Sequence, residues 1–274
     1  MAPFLSEIVA AHRHLAARDD RDPDALVASA QAAALRAPRS PFAEALRAHE
    51  GLAVVAEVKR RSPSKGPLAA DLDPADVAGA YASGGAACLS VLTDEEFFGG
   101  SRADLVAAKT AANLPVLRKD FTVSVADVCD TRLMGADAVL LIVAALGDGE
   151  LVALHALAGS LGLDALVEVH DERELDRALD AGASLVGVNQ RDLATFEVDP
   201  ARAARLAARL PSEVVAVAES GIRGPDDARR LADAGYDAVL VGETVVTAPD
   251  RAAAVRALRG HRVAARAAHL HAAH

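Results

Sequence analysis

Two lysines and three glutamates recur at equivalent places in this chain, each at or near the end of a short apolar run. Glu57 and Lys59 close AVVAEVK (53–59), and Lys119 sits in PVLRKDF (115–121). Glu168 lies in ALVEVH (165–170) and Glu219 in VVAVAES (214–220), with Ser220 beside it. Asn189 ends LVGVN (185–189), and Arg191 follows two residues on. A buried apolar run does not carry charge unless the charge is paired or used. Any one of these groups reads equally well as half of a structural ion pair. All of them at one level is a different matter: lysines and glutamates crowded together push their pKa values apart and so supply both an acid and a base.

The two-residue period of a strand puts Glu57 and Lys59 on one face and turns Glu168 away from Val167 and Val169. His170, beside Glu168, is expected on the other strand face. A second chemistry is written in glycines. AESGI (218–222) and LVGE (240–243) place Gly221 and Gly242 just after late runs, where bare backbone N–H groups can approach a phosphate. SPSKG (62–66) offers the Ser62 hydroxyl, or is only a turn. There is no G-x-x-x-x-G-K-[ST] and no G-x-G-x-x-G after a first strand, so neither nucleotide motif has support. The nine histidines are scattered, and no metal-ligand cluster is expected.

These groups need a scaffold. Three further runs, ACLSVLT (87–93), AVLLIVAAL (138–146) and AVLVGE (238–243), bring the strand candidates to eight. Runs of this length and apolarity suit strands buried on both faces. Helical patterns lie between them, at 73–85, 101–114, 124–137, 171–184 and 224–237. Several open on Asp or Ser and close on Gly, as helix caps do. The alternation predicts an α/β fold, a (β/α)8 TIM barrel with an N-terminal helical extension, its active site at the C-terminal rim of the strands. We expect one domain over 1–274, with an extension at 1–50, a barrel at 51–260 and a tail at 261–274. SEIVAAHRHLAAR reads as an amphipathic helix and 23–49 as a second one. They either plug the barrel bottom or cover its mouth. The Ala- and His-rich end, VAARAAHLHAAH (263–274), reads as a frayed terminal helix rather than a metal site.

Composition narrows the classes. The net charge of −10 argues against nucleic acid as a partner. Two cysteines, Cys88 and Cys129, cannot build a disulfide framework and read as small buried hydrophobes. No signal peptide and no run long enough to span a bilayer is visible, so a cytoplasmic location and no membrane partner are expected.

The motifs AEVKRRSPSKG (56–66), TDEEFFGGS (93–101), LRKDF (117–121), VEVHDE (167–172), GVNQRDL (187–193), AESGI and VGE occur in the order found in indole-3-glycerol-phosphate synthases, and the chain resembles that family from about residue 4 to 258. The resemblance implies a carboxy-lyase of tryptophan synthesis. It would turn 1-(2-carboxyphenylamino)-1-deoxyribulose 5-phosphate into indole-3-glycerol phosphate, CO₂ and water, with no cofactor and no metal. It implies Lys119 as the acid on the substrate carbonyl oxygen and Glu168 as its acid–base partner near the aniline nitrogen. Lys59 would hold the carboxylate or phosphate and serve dehydration, oriented by Glu57; how the two lysines divide the work stays open. Asn189 would position Glu168, Arg191 would fix the rim, and Glu219 and Ser220 would meet the substrate hydroxyls. Phe98 would cover the aromatic ring. Ser62, Gly221, Gly242 and the backbone of Glu243 would line the phosphate pocket. Two positions depart from the family. Gln190 replaces a common Asn, points outward and is expected to matter little. Glu243 replaces a small hydroxyl residue, which puts its side chain in doubt as a phosphate ligand.

The residues themselves give Lys119 a reason to be acidic, if its surroundings are cationic and partly dry. Three rival readings share the barrel: a phosphoribosylanthranilate-isomerase-like enzyme, a Schiff-base aldolase using Lys119 or Lys59, and a non-catalytic barrel that binds a phosphorylated ligand. The cysteines are poorly placed for the first. We expect a stand-alone monomer acting on a small phosphorylated molecule; weak association with other tryptophan-pathway enzymes is left open.

Overall fold

The computed structural model describes residues 3–36, 41–63, 65–192 and 197–266. The eight apolar runs become parallel strands: β1 (Ala53–Val58), β2 (Cys88–Leu92), β3 (Val116–Lys119), β4 (Ala138–Ile142), β5 (Asp164–Val169), β6 (Leu185–Asn189), β7 (Val215–Glu219) and β8 (Ala238–Val241). Each pairs with the next, and β1 also pairs with β8, so the sheet closes into a barrel. Val55 lies in register with Cys88 on one side and Leu240 on the other. The fold is the (β/α)8 barrel.

Alternation along the strands separates two cores. Ala53 and Val55 of β1, Leu117 of β3, Leu140 of β4, Leu166 of β5, Val217 of β7 and Leu240 of β8 fill the barrel. Val54, Ala56 and Val58 face the surrounding helices instead. Continued by two residues, the inward lines run from Val55 to Glu57, Leu117 to Lys119, Leu166 to Glu168 and Val217 to Glu219. The same period that fills the barrel with aliphatic side chains therefore delivers the charged ones to a single rim.

The helices are α1 (Pro3–Ala17), α2 (Pro23–Arg36), α3 (Phe42–Arg47), α4 (Pro74–Gly84), α5 (Arg102–Ala112), α6 (Val125–Leu133), α7 (Asp148–Ser160), α8 (Glu172–Asp180), α9 (Pro200–Ala207), α10 (Pro225–Asp233), α11 (Glu243–Val246) and α12 (Arg251–Leu258). The Asp and Ser starts act as caps: Asp73, Ser101, Ser124, Asp171, Asp199 and Asp250 each accept a backbone N–H from the first turn that follows. At the other end of the barrel, carboxylates staple strand starts. Asp137, ahead of β4, accepts the Val116 N–H at 2.8 Å and Lys109 Nζ at 2.7 Å. Asp237, ahead of β8, accepts the Ala216 N–H at 2.8 Å and is paired with Arg266 at 2.9 Å. Cys88 and Cys129 are buried and free.

Two expectations need correction. The run at 138–146 is strand only to Ile142, because Val143–Ala145 turn into a 3₁₀ segment over the rim. The single helix expected at 23–49 is two, α2 and α3, with 37–40 outside the described residues. Residues 267–274 of the His-rich end, Ser64 of SPSKG and Leu193 of GVNQRDL also lie outside them.

The N-terminal segment serves both ends of the barrel. Phe42 and Leu46 of α3 belong to the barrel-interior core, together with Ala53, Cys88, Ala138 and Val215 at the strand starts. The Ala43 N–H donates to Asp164 at 2.9 Å and Arg47 donates to the Glu213 carbonyl at 2.6 Å, so α3 closes the bottom. Helix α1 lies at the mouth: Arg13 donates to the Ala145 carbonyl just past β4 at 3.1 Å. Plug and cover, weighed as alternatives, are both present on different helices.

Candidate active site

The strand ends surround a cavity of about 570 Å³. Its wall brings together Glu57, Lys59, Lys119, Glu168, Asn189, Glu219 and Ser220. Ser62, Phe98, Arg191, Gly221, Gly242 and Glu243 line it as well. Leu5 and Ile8 of α1 complete the apolar part, and nothing in the strand pattern pointed to them. Their signal was the apolar i, i+3 spacing of α1 itself.

Lys119 is the hub. Its Nζ is 2.8 Å from Glu168 Oε2 and 3.5 Å from Glu219 Oε2. Asn189 Nδ2 donates to the other Glu168 oxygen at 3.1 Å, and the Arg191 N–H donates to Asn189 Oδ1 at 3.0 Å. Lys59 Nζ forms a second pair with Glu57 Oε1 at 2.5 Å. The surroundings of Lys119 are anionic, not cationic. Burial pulls its pKa down, but Glu168, Glu219 and Glu57 outweigh that and raise it above the ordinary lysine value. The expected acidification by neighbouring cations is therefore wrong: Lys119 is a firmly charged donor.

The two carboxylates on Lys119 part company. Burial alone would raise both. In Glu168 the attraction of Lys119, joined by His170, wins and holds the carboxyl well below its usual range. In Glu219 burial, with the repulsion of Glu168 and Glu57 added, pushes the carboxyl well above it. One lysine thus sits between a carboxyl whose surroundings favour the charged form and one whose surroundings disfavour it, the divergence an acid–base site needs. Glu219 Oε1 is buried and has no hydrogen-bond partner among the described residues.

Two glycines are explained by these side chains. A methyl group on Gly187 would collide with Glu219 Oε1, and one on Gly242 would collide with Glu57 Oε1 and crowd Lys59 Nζ. Gly187 thus lets Glu219 lie across β6. Gly242, singled out for phosphate, also makes room for the Glu57–Lys59 pair.

The loop after β7 holds an unusual backbone. Ser220 has φ 66° and Gly221 φ 72°, two consecutive residues in the left-handed region. Gln190, expected to matter little, is buried and donates its Nε2 to the Ser220 carbonyl at 2.8 Å. It points out of the barrel as expected, yet it braces the strained turn. The Glu243 side chain is paired with Lys65 across the mouth.

His170 contradicts its expected placement. Residues 168 and 170 are two apart and share a face, and His170 stands just past the end of β5. Its Nε2 is 3.4 Å from Glu168 Oε1, and its Nδ1 is 2.9 Å from Glu174 Oε2. Burial lowers its pKa, but the two carboxylates prevail and bring it up to about 9. The expectation of no ligand cluster also meets a correction, since His12, Asp94 and Asp120 converge on one point. Their atoms are already engaged. His12 Nε2 is 2.9 Å from Asp94 Oδ2. Asp94 Oδ1 accepts the N–H groups of Phe97 and Phe98, and Asp120 takes Arg118 at 2.9 Å together with the Thr93 hydroxyl. The trio is a clamp that ties α1 to the Phe98 loop, and Phe98 in turn stands 6.1 Å, ring to ring, from Phe121.

Comparison with known proteins agrees with this geometry. The model of the family described as indole-3-glycerol phosphate synthase matches residues 5–258. The chain is 54% identical over 228 residues to indole-3-glycerol phosphate synthase 2 of Streptomyces coelicolor, covering 83% of this chain and 88% of that one. It is 51% identical over 244 residues to the indole-3-glycerol phosphate synthase of Beutenbergia cavernae, covering 89% and 90%. Among solved structures, thiamine phosphate pyrophosphorylase from Pyrococcus furiosus superposes with a TM-score of 0.56 at 17% identity, covering 77% of this chain and 94% of that one, a likeness of fold alone.

Proposed function

The chain belongs to the indole-3-glycerol phosphate synthase family, and from that membership we propose how its barrel mouth carries out the reaction. It is an enzyme of tryptophan biosynthesis with the family's decarboxylating lyase activity, acting on a small phosphorylated substrate. The substrate, 1-(2-carboxyphenylamino)-1-deoxyribulose 5-phosphate, lies with its phosphate against Ser62, Gly221, Gly242 and the Glu243 backbone. Its aromatic ring lies under Phe98 and its ketone oxygen at Lys119.

Ring closure builds negative charge on the ketone oxygen. Lys119 meets that charge as a fixed ammonium and hands over its proton. Its power comes from position and full charge rather than from a low pKa, the logic of a preorganised oxyanion site. Loss of CO₂ restores the aromatic ring. Dehydration then needs an acid at the departing hydroxyl and a base at the neighbouring C–H. Glu168, ionised and held by Asn189, is the base. Lys59, oriented by Glu57, is the acid. Glu219, kept protonated, leaves the charge of Lys119 uncancelled on one side. Arg191 and Ser220 hold the rim and the substrate hydroxyls.

The observation that carries this reading is Lys119 Nζ set between Glu168 at 2.8 Å and Glu219 at 3.5 Å in one cavity with the Gly221 and Gly242 turns. A cytoplasmic monomer is the form we favour. In support, both cysteines are buried and free, and the exposed large hydrophobics among the described residues fall one each on five helices. The test is indole-glycerol-phosphate fluorescence on adding the substrate, with Lys119→Ala alongside. Wild type turns over, and Lys119→Ala loses about 10²–10⁴-fold in kcat. A wild type that binds substrate without forming the indole overturns the assignment.

A further inference from the structure

We propose that Lys65 is the cation that takes the substrate phosphate, and that Glu243 holds it in reserve between turnovers and gives it up when the anion arrives. The inference rests on the reaction assigned above and supplies the charge that balances its phosphate.

The phosphate pocket has a charge problem. A phosphate monoester carries about −1.5 to −2 at neutral pH. The groups assigned to it, the Ser62 hydroxyl and the backbone of Gly221, Gly242 and Glu243, are neutral donors, and the Glu243 carboxylate adds negative charge beside them. The lysines deeper in the cavity are committed. Lys119 lies between Glu168 at 2.8 Å and Glu219 at 3.5 Å, and Lys59 is on Glu57 at 2.5 Å, where it serves dehydration. A phosphate set next to a carboxylate and partly out of water is unfavourable without a cation of its own.

Lys65 is built into the place where that cation is needed. It stands at the tip of a hairpin in which Arg61–Ser62 pairs antiparallel with Gly66–Pro67, Ser62 opposite Gly66. The Lys65 N–H donates to the Ser62 carbonyl at 3.3 Å, and Gly66, with φ 70°, turns the chain back. Arg61 fastens the hairpin to the loop after β2 by donating to the carbonyls of Glu95 and Glu96. Ser62 and Lys65 are therefore placed as one unit, and both line the cavity with Gly221, Gly242 and Glu243.

From that hairpin Lys65 Nζ reaches across to the loop after β8 and donates to Glu243 Oε1. The residue whose N–H faces the phosphate thus carries on its side chain the ammonium that the phosphate needs. The hold is weak: the Lys65 side chain is 51% exposed and the Glu243 side chain 41%, and ion pairs this open to water contribute little. A phosphate, with more charge and three acceptor oxygens, takes the ammonium from a single carboxylate. Glu243 then turns its carboxylate to water, and no covalent bond changes.

The experiment measures KM and kcat for the substrate, and the Kd of inorganic phosphate by titration calorimetry at fixed ionic strength. Lys65→Met raises KM and Kd about tenfold, the share of one charge-assisted hydrogen bond, and the effect lies in KM rather than kcat. Lys65→Arg keeps both constants near wild type. Glu243→Gln lowers both by about two- to fivefold, the worth of an exposed ion pair that no longer has to break. The double variant separates exchange from simple screening. If Lys65 leaves Glu243 for the phosphate, Lys65→Met still costs about tenfold in the Glu243→Gln background. If Lys65 only screens the Glu243 carboxylate, that cost vanishes there and the proposal is overturned. It is overturned as well if the loss falls not on Lys65→Met but on Arg223→Met, the exposed arginine that lines the same cavity from the loop after β7. A wild type whose phosphate binding depends on Lys65 in this way, yet which forms no indole, leaves the phosphate site standing and sinks the reaction.

Discussion

The two ends of the barrel use the same chemical group in opposite ways. At the bottom, Asp137, Asp164 and Asp237 turn their carboxylates onto backbone N–H groups of Val116, Ala43 and Ala216. Those donors cannot titrate or leave. At the mouth, Glu57, Glu168 and Glu219 face lysines and one another across open space. There each charge depends on its neighbours, and a substrate can take a neighbour's place. A carboxylate bound to the backbone stabilises the fold; a carboxylate bound to a titrating side chain keeps a choice of protonation state. The barrel separates the two along its axis, so stability at one end does not compete with chemistry at the other.

The contrast can be broken from either side. The largest effect is expected at the bottom. Asp137→Ala leaves the buried Val116 N–H without its acceptor, at a cost of about 1–3 kcal/mol, while Lys109 keeps the Gly135 carbonyl at 2.6 Å. Thermal unfolding should show the loss, while kcat of the folded fraction stays at the wild-type value; a large fall in kcat would mean that the ends are coupled.

At the mouth, Glu219→Gln tests the reverse. The native pKa of Glu219 is raised, so its contribution to stability is whole below the ordinary carboxyl value of 4.5 and is lost as pH rises towards the native value. Unfolding measured against pH should find the Gln variant gaining on wild type over that window, by about 1 kcal/mol or more. A constant difference would mean that Glu219 is ionised throughout.

The smallest effect belongs to the clamp. His12 has a pKa raised above 6.5, against the pull of burial, by its hydrogen bond to Asp94 and the charge of Asp120. Its contribution is whole below 6.5 and lost as pH rises through the higher native value. Asp94, whose pKa is lowered from 3.8, contributes above that value and loses its share in acid. His12→Ala should therefore cost up to about 1 kcal/mol between these limits and less in alkali, read as Tm against pH. A cost that grows with pH would rule out the ion pair as what holds α1.

Much of this was legible in the sequence because period and chemistry coincide. The two-residue alternation that marks a strand also marks which polar residue ends its inward line, so Glu57, Lys119, Glu168 and Glu219 could be read from the strands alone. Spacing says which face a group takes, not what stands opposite it. That Lys119 is ringed by anions is a matter of contacts across the barrel between residues 49 to 100 positions apart. His170 was misplaced although the two-residue rule itself gives its face. Gln190 was undervalued because an outward side chain was taken as idle, when the backbone it braces carries Ser220. The break between α2 and α3 was legible as well: Pro38 and Pro41 are helix-stop signals that the reading of one helix over 23–49 passed over.

The N-terminal helices have a consequence in time. Helix α1 docks through His12 on Asp94 and through Arg13 on Glu150, and α3 docks on Asp164 and on the carbonyl of Glu213. The ribosome makes both helices long before it makes those partners. Each must wait, apolar face unpaired, until most of the barrel has been synthesised behind it. Segments in that position are exposed to wrong partners during folding. Here the waiting pieces are the six-residue α3 and the fifteen-residue α1, whose full charges are Glu7 and Arg13, so the apolar side of α1, with Leu5, Ile8 and Val9, is the larger surface left idle while the rest of the molecule is built.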